Sequence, residues 1–221
     1  VPIADLVTRA SRHAALGDPI RLAIADELVG SDRSPAELRL RFGLESNLLS
    51  HHLDVLEGAG LIERFHSSGD GRRRYVHLRD DAIGMVAGAG RRPVAALFVC
   101  TANSARSQLA AAIWTVMTGR PARSAGTHPA AAVAPGALAA ARRAGLAMEN
   151  AIPQSLADVA RRPALVVTVC DRAHEALTPD GERLHWSIPD PVPGGTTVAF
   201  DRTVAELRTR VSRLIDRTVA A

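Results

Sequence analysis

The stretch FVCTANSARSQLAAAIW, Phe98 to Trp114, starts as an apolar run and ends as an apolar helix-like tail, with a cysteine, a short polar loop and an arginine between. VAALFVC reads as a strand, and a helix is expected from about Ser107 to Thr118. If the loop between Cys100 and Arg106 curls around an anion, its backbone amides and the helix N-terminus point inward at negative charge. The guanidinium can then grip two oxygens at once. The same field favours a thiolate, so Cys100 is expected to be ionised and to act as a nucleophile toward a tetrahedral oxyanion. The C-x5-R-S spacing alone recurs by chance; its place after a strand and before a helix gives it weight. The opposing reading is a cysteine buried as a small hydrophobe.

Outward toward the C-terminus, the texture stays one of alternating strands and helices. RSAG and ALVVTVC read as strands. Helices are expected from about Pro135 to Ala144, from Arg172, and from about Val204 to Val219. Such alternation predicts a parallel sheet with helices on its faces. Toward the N-terminus, AGAGRRP at 87–93 separates this half from a differently patterned one, and a domain boundary is placed there. Before it come helices with start signals: Asp18-Pro19, and Ser34-Pro35 with Glu37. A helix over about Ser46 to Ala59 follows, with Leu48, Leu49, Leu53 and Leu56 on its apolar side. LIERFHSSGDGRRRYVHL then reads as a hairpin around Gly-Asp-Gly.

Helix, tight turn, helix and hairpin is the plan of a winged helix-turn-helix. The second helix carries Ser46, Asn47, Ser50 and His51 on its early turns, short side chains able to reach base edges or phosphates from the major groove. Arg72, Arg73 and Arg74 stand at the hairpin tip, where a wing meets the DNA backbone or minor groove. A solvated, partnerless tip is the alternative. The charge is local: 13 arginines face 13 acidic residues before Pro93, and 14 face 10 after it, for a net +4. Two cysteines in 221 residues make no disulfide framework. No apolar run approaches the roughly 20 residues that span a bilayer, and a cytoplasmic protein without membrane partners is expected.

LGDPIRLAIADEL, SPAELRLRFGLESNLLSHHLDVLEGAGLIERF and GRRRYVHL resemble the ArsR-type family of bacterial repressors over roughly residues 5–85. The resemblance implies a homodimer on operator DNA, released when a metal or metalloid fills thiolate or His/carboxylate sites. No cysteine precedes Cys100, which excludes a thiolate site in this domain. His51 and His52 are adjacent, about 100° apart on a helix, and form no i,i+4 ligand pair; no metal site is assigned.

FVCTANSARSQLAAAIW, SAGTHP, VVTVCDRA and HWSIPDP resemble, in order and spacing, the low-molecular-weight phosphotyrosine phosphatases and thioredoxin-coupled arsenate reductases, over residues 94–218. The resemblance implies Cys100 as nucleophile, Arg106 as oxyanion clamp and Asp190 as general acid. Thr101, Ala102, Asn103, Ser104, Ala105 and Ser107 would surround the oxyanion, arsenate or phosphate, with Asn103 and Ser107 holding the loop and tuning the thiolate. Gln108 and His185-Trp186 resemble the reductase branch; the phosphatase branch usually has Pro after that Ser and an aromatic where this chain has Val192. Cys170 takes the place of the second reductase cysteine, or is a core cysteine at a strand end. The third cysteine of thioredoxin-coupled members is here Leu177, so the internal disulfide relay is broken. No bound cofactor is implied, only an external thiol reductant, thioredoxin or a small thiol such as mycothiol. His128 reads as a turn residue or part of the site wall, and Trp114 and Trp186 as packing.

The expectation is therefore two domains: a mainly α winged helix-turn-helix over residues 1–88, a linker at 89–93, and an α/β parallel-sheet low-molecular-weight phosphatase-like domain over 94–221. The function expected is a transcriptional repressor fused to a cysteine-dependent arsenate reductase. The alternatives are a tyrosine phosphatase with a DNA-binding domain, and a regulator whose catalytic-like domain senses only an oxyanion or redox state.

Overall fold

Two prolines set where the early helices start. Asp18 accepts hydrogen bonds from the amides of Ile20 and Arg21 ahead of α2 (Pro19–Gly30), and Ser34 and Glu37 form a reciprocal capping box ahead of α3 (Pro35–Phe42). The computed structural model describes residues 3–86, 93–161, 163–177 and 183–215. All but Pro93 of the expected linker lies outside them. The chain divides into two units, one built on residues 3–67 and 71–86 and the other on 93–215.

In the first unit, α1 (Ile3–Leu16) precedes α2 and α3, and Gly43, at φ 62°, turns the chain into α4 (Ser46–Gly58). A left-handed backbone there suits glycine. Leu49, Leu53 and Leu56, an i, i+4, i+7 stripe, bury against Ile24, Leu28 and Leu38. Leu48, expected on that stripe, is 43% exposed, because it is one helical step, about 100°, off the line. Strands β1 (Ile62–His66) and β2 (Arg74–Leu78) form an antiparallel hairpin with Ile62 opposite Leu78 and Phe65 opposite Tyr75. Arg33 and Val76 exchange backbone hydrogen bonds, tying the start of α3 to the hairpin.

The second unit is a four-stranded parallel sheet in the order β4-β3-β5-β6, formed by β3 (Ala96–Cys100), β4 (Ala122–Gly126), β5 (Leu165–Thr168) and β6 (Leu184–His185). The crossovers carry α5 (Arg106–Thr118), α6 (Pro135–Arg143) and α7 (Asp171–Ala176), and the chain ends in α8 (Pro191–Gly194) and α9 (Thr197–Ile215). All five residues of β3 are buried. Phe98 at its centre meets Trp114 and Trp186 at ring centroid distances of 5.9 and 5.8 Å, which makes both tryptophans core. From β3 the chain crosses to β4 on one side, while β5 pairs on the other. Ligands gather at the carboxyl ends of strands at such a reversal. Cys100 ends β3, and Cys170 lies two residues past the end of β5.

The final helix starts at Thr197 rather than near Val204. Thr197, Val198 and Phe200 have strand propensity, but Thr196 caps the turn by accepting from the amide of Ala199. Phe200, Val204, Leu207, Val211 and Leu214 bury as one stripe. Its expected end at Val219 lies outside the described residues. No helix among the described residues is long and apolar enough to cross a membrane.

Candidate functional site

The loop from Cys100 to Arg106 is held from outside by its carbonyls. The oxygens of Cys100, Thr101, Ala102 and Ser104 accept from the amides of Thr127, His128, Ala130 and Ala134, at 2.8–3.1 Å. The Asn103 oxygen accepts from Gln108 Nε2 at 3.1 Å. In a trans peptide the N–H of the next residue points opposite to the carbonyl, so the amides of residues 101–105 turn toward the loop interior. That is a concave arrangement of the kind that suits an anion, followed directly by the N-terminus of α5. The segment 127–134, which begins with the last three residues of SAGTHP, is its frame. His128 is exposed there, and its ring nitrogen lies 3.2 Å from the Thr127 hydroxyl, in keeping with a turn residue.

Cys100 Sγ lies in this cradle, 2% exposed. The Asn103 amide donates to it at 3.2 Å, and the Ser107 hydroxyl lies 3.0 Å away. Asn103 Nδ2 donates to Ser107 Oγ at 2.8 Å, which leaves the Ser107 proton for the sulfur. Donors aimed at one sulfur stabilise negative charge on it. Asn103 is at φ 50°, the only non-glycine residue with positive φ among the described residues, a conformation that persists only where surroundings enforce it. Part of the enforcement is Gly126, which pairs with Cys100. A Cβ there would lie 2.7 Å from the Thr101 oxygen and 3.0 Å from Asn103 Cβ, so only glycine lets strand and loop approach this closely.

Arg106 is 7% exposed, and its Nη1 and Nη2 donate to the Ile188 carbonyl at 2.9 Å and to Asp190 Oδ2 at 2.8 Å. Asp190 caps α8 through the Val192 amide and is half-exposed. Cys170 caps α7, its sulfur accepting from the Ala173 amide at 3.4 Å and lying 3.4 Å from the Thr101 hydroxyl. Burial pushes the Cys170 thiol up, with the Arg106 charge acting against that. Both cysteines are free thiols. Cys100, Thr101, Ala102, Ser104, Ala105, Arg106, Cys170, Arg172, Asp190 and Pro193 line one pocket, while Asn103 and Ser107 stand behind its wall.

On the first unit, Ser46, Asn47, Ser50 and His51 are all exposed on one side of α4, and Arg72, Arg73 and Arg74 are exposed at the hairpin tip. His52 is buried, with its Nδ1 3.9 Å from Asp18 Oδ1, so the two adjacent histidines divide between core and surface. Sequence reasoning missed three features of the second unit, the Ile188 carbonyl that anchors Arg106, Arg172 on the pocket wall and Gln154 beside Asn103, and it singled out Gln108 without foreseeing its bonds to Asn103. Gln108 had a signal, its place one residue after Arg106-Ser107. The others come together only through the sheet.

The geometry agrees with what the chain resembles. A helix-turn-helix domain family matches residues 16–64. An arsenate reductase of Bacillus cereus is 34% identical over 128 residues, covering 52% of this chain and 90% of that protein. Among solved structures, the thioredoxin-dependent arsenate reductase of Corynebacterium glutamicum is 26% identical at a TM-score of 0.44, over 59% of this chain; this chain spans only 63% of that one. The low molecular weight protein tyrosine phosphatase of T. tengcongensis, 21% identical over 56% of this chain and 99% of its own, has a TM-score of 0.51 and shares the fold. The low molecular weight phosphotyrosine protein phosphatase family matches residues 95–221, more than half of the chain, and this protein belongs to that family, with a helix-turn-helix domain preceding the phosphatase fold.

Proposed function

We propose that the protein is an arsenic-response repressor joined to an arsenate reductase. The observation that carries the enzymatic half is a buried thiol in a cradle of inward amides, with a second thiol and a buried guanidinium in the same pocket. Arsenate enters with its oxygens on the amides of residues 101, 102, 104 and 105 and on Arg106, which exchanges Asp190 for the ligand, while the Asn103 amide stays on the sulfur. Cys100 Sγ attacks arsenic, an As–O bond breaks, and Asp190, released from Arg106, takes a proton from another hydroxyl of the bound hydrogen arsenate and passes one to the departing oxygen, which leaves as water. Cys170 then attacks the Cys100 sulfur. The S–S bond forms, the S–As bond breaks with its electron pair left on arsenic, and As(V) departs as arsenite, As(III). An external thiol, thioredoxin or a small thiol such as mycothiol, returns two electrons to the disulfide. The Thr101 hydroxyl beside Cys170 supports the second step, since it can donate to the attacking sulfur.

The DNA-binding half is supported by the exposed face of α4 and by the arginines at the hairpin tip. A homodimer is supported by α1, where Ile3, Leu6 and Val7, at i, i+3 and i+4, are 79%, 47% and 63% exposed.

A tyrosine phosphatase is the second reading, favoured by Leu177, packed against the core where the relay cysteine would stand. The deciding experiment measures arsenite formed from arsenate, with thioredoxin and with small thiols supplied separately, on the native chain, Cys100→Ser and Cys170→Ser. The reductase reading expects both variants to lose arsenite production. Hydrolysis of an aryl phosphate with no thiol requirement and no arsenite from the native chain would replace it with the phosphatase.

A further inference from the structure

We infer that Gln108 is a positioning residue for the chemistry at Cys100, acting through Asn103; this rests on the reading of Cys100 as the nucleophile. Gln108 stands in the first turn of α5 and is 8% exposed. Its Nε2 lies 3.1 Å from the Asn103 carbonyl, 3.2 Å from Asn103 Oδ1 and 3.1 Å from the Ile152 carbonyl. Three oxygens face this one end of the amide, so it is the nitrogen, and its two protons are shared among three acceptors. The Gln154 amide adds a further bond to Asn103 Oδ1, at 2.9 Å. With its oxygen so occupied, the Asn103 side chain can turn only its NH2 toward Ser107, and toward a thiolate at Cys100, which has no proton to give, Ser107 is the donor.

The result is a chain of donors with a single direction: Gln108 to Asn103, Asn103 to Ser107, Ser107 to Cys100. Hydrogen bonds in such a chain polarise one another toward its end. Gln108 also fixes the left-handed backbone of Asn103, whose own amide is the second donor to the sulfur. Gln108 touches neither ligand nor sulfur, and its effect passes wholly through Asn103.

The test is alkylation of the full chain by iodoacetamide, followed by peptide mass spectrometry that reads Cys100 and Cys170 separately, across pH and with added inorganic phosphate. Gln108→Met keeps the length and removes both donors. Its Cys100 pH profile is expected to move toward that of an ordinary thiol, and half-protection by phosphate to need on the order of tenfold more of the anion. Cys170 should keep its native rate, whereas general loosening would speed both thiols. Gln108→Glu, the same shape with acceptors in place of the donor, should fail as Met does; it carries the test if the Met variant does not fold. Native behaviour at Cys100 in either folded variant overturns the role of Gln108 alone. A native chain whose Cys100 reacts like an ordinary thiol and is not protected by phosphate overturns the underlying reading of the site instead.

Discussion

Cys100 and Cys170 share a pocket but differ in what surrounds them. The first is met by a backbone amide and the Ser107 hydroxyl, while burial pushes the second up. Under the reductase reading, release of arsenite needs Cys170 as a thiolate. The rate of arsenite release should then climb with pH above neutrality, by about tenfold per unit while the thiol form dominates. A pH series of single-turnover reactions checks this; a flat profile would mean that Cys170 is not the attacking group. Asp171, next to it, titrates oppositely. Burial opposes its charge, but hydrogen bonds from His185 and Ser187 overcome this and hold the carboxyl at about 2, below its ordinary 3.8. A depressed folded-state value means stability that is present above pH 3.8 and lost as pH falls toward 2. Denaturant midpoints measured over that window should drop in the native chain and drop less in Asp171→Asn. Sequence made the Cys100 to Ser107 loop legible because its residues are contiguous and chemically particular. Gln154, Ile188 and Arg172 were not legible, because each reaches the site from a distant segment and contributes a backbone group or an ordinary side chain.

Elements were legible where local chemistry marks their ends. Asp18-Pro19 and the Ser34/Glu37 box start α2 and α3 as expected, since a capping oxygen satisfies amides that nothing else in the chain can reach. The early turns of α9 were hidden because Thr197, Val198 and Phe200 favour strand locally, and the Thr196 cap together with packing against α6 overrides them. That packing is close: the ring of Phe200 lies where a Cβ on Gly136, in the first turn of α6, would have to stand. Gly136→Ala must therefore push the ring or the helix outward, although alanine is the better helix former. The expected outcome is a loss of about 1–3 kcal/mol, the usual size for overpacking, read from urea unfolding of the full chain. A neutral or stabilising result would mean that helix propensity outweighs the contact and that α9 repositions freely on α6.

For the molecule as a whole, a net charge of +4 is the small remainder of 27 arginines against 23 acidic residues, so attraction to DNA has to come from where the arginines stand. The DNA-binding reading puts Arg72, Arg73 and Arg74 on phosphates and the face of α4 on base edges, and these make separable predictions. Each phosphate neutralised contributes about 0.9 to the slope of log affinity against log salt. A homodimer presents the three arginines twice, so replacing all three by alanine should flatten that slope by up to about 5 and leave the order of preference among sequences unchanged. His51→Ala should do the reverse, keeping the slope while relaxing discrimination at the bases it faces by about 1–3 kcal/mol per base pair. Fluorescence anisotropy with salt titration on specific and scrambled duplexes reads both quantities. A triple variant with an unaltered slope would return the hairpin tip to the solvent. If the slope fell by only about half as much, one hairpin alone would touch the DNA, and the two-fold arrangement proposed for the repressor would be wrong.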